Sequence, residues 1–362
     1  MPRILFLLIF SICFSLNSFS QEESRSNIGI ELRQKTGFLL PHRSIMKHLV
    51  QGHSLGGEIS LIYQTNGTEE WHQSFNNPRY GFSAYFSDFG FKEVLGVAYG
   101  AYMFGELPFI KQNGWNFSGK KGAGLAYVTE IFDQHENPKN NSISTHLNIL
   151  LVLGLNVSKQ FNQSELSLSL DMTHISNGGA KMPNLGLNVP YLSLGYTHFL
   201  KPLKFSDNNS SDFSKYLISD HWSMNVAGVG SAKQVYPTGG DNYLAVGLGF
   251  YAQKRFKRKV AAEFGLDFML NQSHTRFAPP SATQMDVLQV GLYTAYVLPV
   301  NRFSFVLGIG GYLKNNLGTD GFIYNRFGAR YSLSDHWVVN MTIKSHWGRA
   351  DYFEYGLIYK VF

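Results

Sequence analysis

The sequence is poor in charge, in cysteine and in long apolar runs. Only 15% of its 362 residues are charged, against roughly 25% in an ordinary soluble domain, so much of its surface is predicted to contact something other than water. The one cysteine, Cys13, lies within the first twenty residues, which excludes a disulfide-stabilised fold. Beyond those residues no run of about 18 apolar residues occurs, which excludes membrane-spanning helices.

The charges and histidines also exclude two kinds of partner. Lys and Arg number 31 against 25 Asp and Glu, and they are distributed along the chain, so nucleic acid is not an expected partner. The 12 histidines show no metal-ligand spacing such as H-E-x-x-H, so neither a metal nor another cofactor is expected.

Residues 1–20 have the pattern of a secretory signal peptide. Arg3 supplies the positive charge, Ile4 to Phe14 the apolar segment, and Ser18-Phe19-Ser20 a cleavage site before Gln21. A lipid-modified Cys13 is the alternative, although Ile12 stands where a small residue should precede it. The pattern predicts export from the cytoplasm.

The rest of the chain is rich in aromatic residues and glycine and alternates like strands. It contains 29 Phe, 20 Tyr, 5 Trp and 36 Gly, a mixture that suits strands and tight turns. In Val260 to Phe268 the even positions are apolar and the odd ones are Ala261, Glu263, Gly265 and Asp267. This period of two fits a strand with unlike faces, in a membrane barrel or in a soluble sandwich.

The end of the chain favours the membrane barrel. The segment Tyr355 to Phe362 finishes on an aromatic residue and resembles the assembly signal of bacterial outer-membrane proteins. That resemblance implies the outer-membrane bilayer and the barrel assembly machinery as partners. A strand protein in lipid must close into a barrel to pair all its backbone groups.

Counting the alternating segments gives the expected architecture. Residues 21–200 hold about eight, 201–217 form a polar connector, and 218–362 hold six to eight more. We predict an all-β, antiparallel transmembrane β-barrel of 14 to 16 strands. An eight-stranded barrel with an appended β-domain is the alternative.

Two serines are candidate nucleophiles. Gly52 to Gly56 reads G-x-S-x-G around Ser54, the nucleophile elbow of soluble α/β-hydrolases, but the alternation from Ile59 to Gln64 continues it as a strand where that elbow needs a helix. The other is Ser176, in His174-Ile175-Ser176-Asn177-Gly178-Gly179. Its strand, Ser164 to Thr173, has Leu166, Leu168, Leu170 and Met172 on the lipid face, which His174 and Ser176 continue. A neighbouring His can take the hydroxyl proton of a Ser and activate it.

The motif resembles that of the PagL-type lipid A 3-O-deacylases, outer-membrane β-barrel esterases with His-x-Ser-Asn followed by Pro-Asn-x-Gly, here Pro183 to Gly186. The resemblance implies His174 as general base, Ser176 as nucleophile, and Asn177 with the Gly178 and Gly179 amides as oxyanion donors. It implies lipid A, or lipopolysaccharide, as substrate. From a periplasmic N-terminus the seventh strand would end at the outer surface, so the site would face the outer leaflet of the outer membrane.

One position departs from the family pattern. The family orients its His with a Glu fourteen residues further on, where this chain has Asn188. An Asn carbonyl can accept the imidazole N–H but brings no charge to stabilise the imidazolium. A passive barrel or pore and a family member that has lost activity are therefore the alternatives. His346, with Glu354 further on, is a second possible site, but Gly348 stands where the nucleophile should be.

Overall fold

The computed structural model describes residues 27–205, 221–318, 321–347 and 349–361. The predicted signal peptide, most of the polar connector, Gly348 and the terminal Phe362 lie outside the described residues.

The first eight strands close into one antiparallel barrel. It closes where β1 pairs with β8, from Gly29 opposite Phe199 to Gly37 opposite Tyr191. Its hairpins carry ordinary turn residues: Asn113 and Gly114, with φ of 51° and 75°, form the two-residue turn between β4 and β5. The strands are β1 Ile28–Phe38, β2 His53–Gln64, β3 Arg79–Asp88, β4 Val97–Gln112, β5 Trp115–Val128, β6 Leu147–Phe161, β7 Ser164–Ser176 and β8 Leu187–Phe199.

The last eight strands close into a second antiparallel barrel. Here β16 pairs back with β9, from Tyr355 opposite Gly230 to Lys360 opposite Asn225. The strands are β9 Ser223–Gln234, β10 Asn242–Lys257, β11 Val260–Asn271, β12 Leu288–Val300, β13 Phe303–Lys314, β14 Ile323–Ser332, β15 Trp337–His346 and β16 Arg349–Lys360.

The two closures confirm the all-β antiparallel barrel class and correct the single barrel expected from the sequence. The strands number sixteen among the described residues, but β8 returns to β1 instead of continuing the sheet into β9. Alternation is the same in one wide barrel and in two narrow ones, because closure depends on which distant strands pair. The alternative of an eight-stranded barrel with a second β-domain is the closer description.

Short helices occupy connections between strands. They are α1 Glu70–Ser74, α2 Lys92–Leu95, α3 Gln284–Val287, and the 3-10 segments Ser44–Leu49 and Gln272–Phe277. No helix in the described ranges is long and apolar enough to cross a membrane.

The strand faces follow the alternation. In β11 the apolar Phe264 and Leu266 are exposed, whereas Glu263 and Asp267 point inward and are buried. The predicted two-faced strand at Val260 to Phe268 is thus confirmed.

Ion pairs fill both interiors. In the first barrel Glu58 accepts from Lys35 at 2.7 Å and from Lys120 at 3.2 Å, and Arg79 pairs with Glu165 at 2.5 Å. In the second, Arg326 bridges Asp267 and Glu354, Arg330 pairs with Glu263, and Asp351 pairs with Lys233 and Lys344. The cavities beside these networks measure about 10 Å³ and 20 Å³, room for about one water each.

The barrels touch at both ends. Arg258, in the β10–β11 turn, lies 3.1 Å from Glu70 of α1. At the opposite end Ile149 and Leu151 of β6 pack against Ile343 and Phe353 of the second barrel. The odd-numbered strands of both barrels therefore finish at the same end of the molecule.

We predict that Glu58→Gln destabilises the first barrel by about 3 kcal/mol, because it leaves two buried ammonium groups short of a carboxylate. Glu93→Gln makes the same chemical change on the exposed surface of α2 and is the control. The temperature of the heat-modifiable shift on detergent gels should fall for Glu58→Gln alone. Equal temperatures in the two variants would contradict the role given to the buried pairs.

Candidate active site

The candidate His and Ser stand at the end of β7 on its outward face. Leu166, Leu168 and Leu170 on that face are 50%, 53% and 65% exposed. His174 and Ser176 continue the same face by the alternation of the strand.

Ser176 is nevertheless only 8% exposed, because the connection from β7 to β8 folds over it. Gly186 in that connection has φ of 78°, and a methyl group there would lie 2.9 Å from Cε1 of His174. Only glycine fits this position without strain, which explains the last residue of the Pro-Asn-x-Gly stretch.

Three predicted site residues come together in one hydrogen-bonded series. His174 Nε2 lies 2.8 Å from Ser176 Oγ, and His174 Nδ1 lies 2.6 Å from Asn188 Oδ1. The residues predicted as nucleophile, base and orienting group therefore share one line of contacts.

Sheet register explains the spacing of fourteen between the His and its orienting residue. In the antiparallel pairing of β7 with β8, His174 stands directly opposite Asn188. Opposite residues have their side chains on the same face and about 5 Å apart. A strand-connection-strand unit of this length thus brings the two side chains into contact.

The partner of Nδ1 sets the proton positions of the imidazole. Asn188 Oδ1 can only accept, so Nδ1 of His174 donates to it and Nε2 carries the lone pair. Ser176 then donates its hydroxyl proton to Nε2. This is the protonation state in which a His can act as a general base.

The loop after Ser176 holds the predicted oxyanion donors, most of which have partners within the loop. Asn177 donates its backbone N–H to Asn184 Oδ1 at 3.1 Å and its side-chain amide to Lys181 O at 2.9 Å. Gly179 N–H donates to Asn177 Oδ1 at 3.0 Å. Among the described residues the N–H of Gly178 has no hydrogen-bond acceptor.

The second barrel holds this loop from the other side. Gln234, at the end of β9, donates its backbone N–H to Gly179 O at 2.9 Å and accepts from Met182 N through its side chain at 2.8 Å. Gly178 has φ of 68°, and a side chain there would overlap the ring of Phe353. The loop after Ser176 thus lies between the two barrels.

Ser54 does not form a nucleophile elbow. It is a fully buried residue of β2, which continues as a strand. Its hydroxyl contacts Ser87 Oγ at 3.1 Å, Tyr191 OH at 3.0 Å and the carbonyl of Asp88.

His346 faces the interior of the second barrel. It is buried, with Nε2 2.9 Å from the hydroxyl of Tyr312, and Glu354 is bound to Arg326. No group of three or more His, Cys, Asp and Glu within the described ranges is arranged to hold a metal.

Sequence reasoning missed His42, Asn184 and Gln234 as neighbours of the site. Asn184 stood in the quoted Pro-Asn-x-Gly stretch without a role, and that stretch was its signal. His42 follows β1 and Gln234 ends β9, so only strand pairing brings His42 to Asn188 and only barrel packing brings Gln234 to the loop after Ser176.

The chain matches two family models. One, described as lipid A 3-O-deacylase (PagL), matches residues 55–197 and so includes His174, Ser176 and Asn188. The other, described as acyloxyacyl hydrolase, C-terminal domain, matches residues 222–362. Together they cover well over half of the chain. The chain belongs to the PagL family. The resemblance seen in the sequence motif is thereby confirmed, and the protein is a β-barrel outer-membrane protein of a hydrolase family.

Other comparisons add little to the PagL assignment. Two mutants of the porin of Rhodopseudomonas blastica align with 92% of this chain and 99% of their own at 11% and 12% identity. Their TM-score of 0.19 is too low to carry an argument. No curated protein matches the chain in sequence.

We predict that Gln234→Ala lowers the rate at which a fluorophosphonate labels Ser176 by about fivefold, since one neutral hydrogen bond to the loop, worth about 1 kcal/mol, is lost. Gln272→Ala, an exposed position of the same barrel, is the matched control. If both variants label at the wild-type rate, the second barrel does not position the loop through Gln234.

Proposed function

We propose that this protein is an outer-membrane esterase that removes the 3-O-linked acyl chain of lipid A by a Ser–His mechanism. The observation that carries the proposal is the hydrogen-bonded series from Ser176 through His174 to Asn188 at the end of β7. Membership of a family described as lipid A 3-O-deacylases supports the choice of substrate.

In the first half of the reaction Ser176 Oγ attacks the ester carbonyl carbon while His174 Nε2 takes the hydroxyl proton. The imidazolium keeps its Nδ1–H on the carbonyl of Asn188. Gly178 N–H, which has no other acceptor among the described residues, is the oxyanion donor we propose. Asn177 and Gly179 hold that loop in shape through their mutual hydrogen bond.

Collapse of the tetrahedral intermediate breaks the ester bond. The sugar oxygen leaves with the proton from His174 Nε2, and the acyl group stays on Ser176 Oγ. Water then attacks the acyl-serine, giving its proton to Nε2, and the fatty acid leaves as the Ser176 hydroxyl is restored.

The position of the site suits an amphiphile held in the bilayer. His174 follows three exposed leucines on the outer wall of β7, so an acyl chain lying along that wall brings its ester to the strand end. We place this end at the outer leaflet, where lipopolysaccharide lies. We also propose that the C-terminal strand β16 is recognised by the barrel assembly machinery.

A passive pore is the less favoured function. The ion pairs of Glu58 and Arg326 cross their barrels and leave cavities of about 10 Å³ and 20 Å³. An eight-stranded barrel has an interior that side chains fill. Conductance therefore has no route through either described interior.

We expect Ser176→Ala to abolish the deacylation of lipid A. Mass spectrometry of lipid A from cells expressing the wild type should show the loss of one hydroxyacyl mass, and lipid A from cells with the variant should not. Ser54→Ala, the same change at the other serine motif, should keep the activity. Unchanged lipid A with wild-type protein shown to be in the outer membrane would contradict the proposed reaction.

We expect Asn188→Leu to lower kcat by about a hundredfold or more, with little change in KM, because His174 loses the acceptor that fixes its tautomer. A heat-modifiable shift on detergent gels equal to that of the wild type controls for folding of the barrel. A wild-type kcat in this variant would show that another group orients the imidazole.

A further inference from the structure

Asn188 lies between two imidazoles. Its Oδ1 faces His174 Nδ1 at 2.6 Å, and its Nδ2 faces Nδ1 of His42 at 3.0 Å. His42 belongs to the connection after β1 and lies outside the residues 55–197 matched by the PagL model.

An amide in this position works in only one of its two orientations. When Oδ1 of Asn188 points towards His174, the Nδ1–H of His174 donates to it, and Nε2 of His174 is free to take the Ser176 proton. After a half-turn of the amide, Nδ2 of Asn188 would donate to Nδ1 of His174. The ring proton of His174 would then move to its Nε2, which could no longer accept the proton of Ser176. A glutamate in place of Asn188 would face no such choice, since both carboxylate oxygens accept.

His42 is placed to select the productive orientation. An unprotonated Nδ1 is an acceptor, so it binds the NH₂ side of the Asn188 amide and leaves the carbonyl for His174. Leu40, two residues before His42, donates its N–H to the backbone carbonyl of Asn188 at 2.8 Å, which holds the connection against β8. Partial desolvation and the neighbouring Arg43 lower the pKa of His42, against hydrogen bonds to the backbone of Leu40 and Leu185, so the ring is neutral at neutral pH.

We propose that His42 is a positioning residue that fixes the Asn188 amide, and that its protonation releases the amide and switches the site off. This inference rests on the proposed Ser–His function. A protonated His42 would set an N–H donor against the NH₂ group of Asn188, and the amide would turn. The titratable or charged side chains that act on His42 are Arg43, beside it in the chain, and His174, across the amide.

The sign of the pH effect follows from this contact. The productive arrangement needs His42 neutral, so the rate falls as the pH drops through its lowered pKa. Protonation of His174 itself also removes the base. The acid limb of a plot of log rate against pH should therefore approach a slope of about two.

The test measures the rate of fluorophosphonate labelling of Ser176 on the full chain in detergent. His42→Ala should lower the rate by about tenfold, as expected for a lost orienting hydrogen bond, but by less than about twofold in an Asn188→Glu background, where no orientation has to be selected. His48→Ala, a change at another exposed histidine whose Nε2 contacts Lys139 O, is the matched control. Equal losses from His42→Ala in both backgrounds, or no loss in either, would overturn the inference.

A second variant keeps the test independent of how Asn188→Glu folds. His42→Gln offers a carbonyl to the amide of Asn188 but cannot titrate. Most of the labelling rate that is lost in His42→Ala should therefore return, and the slope of the acid limb should fall to about one. A slope that stays at two overturns the switch. Labelling of Ser176 without any change in lipid A would overturn only the proposed substrate. No labelling in any of the proteins would overturn both the proposed Ser–His function and the role of His42.

Discussion

The site depends on the register between β7 and β8. Thirteen-residue strands pair from Ser164 opposite His198 to Ile175 opposite Leu187, and a slip of one residue would send His174 and Asn188 to opposite faces. The interior prevents that slip, because Asp171 binds Ser193 at 2.6 Å and Lys35 at 2.5 Å. Moving a lysine onto the lipid face at the middle of the bilayer costs about 2–4 kcal/mol, and moving an aspartate there costs less. The buried ion pairs of the barrel therefore also hold the predicted site residues of its outer wall in place.

Polar side chains on an outer wall are tolerated here because each has a partner. Ser176 donates to His174, His174 to Asn188, and Asn188 to His42, so no polar atom of the series is left unsatisfied near lipid. The series begins under the β7–β8 connection and ends in the exposed connection after β1. The proposed proton-transfer site can thus rest in its uncharged form at the edge of the apolar wall.

The alternation of apolar and polar residues was sufficient to predict the strands, their faces, and the shared direction of His174 and Ser176. Each of these depends only on residues that are close together in the sequence. Closure was not predictable, because it depends on β1 meeting β8 across the whole first half of the chain. His42 and Gln234 lie at strand ends, where alternation stops and side-chain direction has no sequence pattern. The predicted oxyanion loop was identified from its motif, but its hydrogen bonds to Gln234 depend on a contact with a distant segment.

Two narrow closures suit this site better than one wide barrel. A sixteen-stranded barrel would enclose a water channel and leave the outer wall of β7 facing lipid alone. With two barrels, each interior is filled by side chains, and the second barrel becomes a wall beside the first. Phe353 occupies the space next to Gly178 and Gln234 binds the loop at Gly179 and Met182. The loop that is proposed to stabilise the oxyanion is therefore fixed by packing between barrels, which the first barrel alone does not provide.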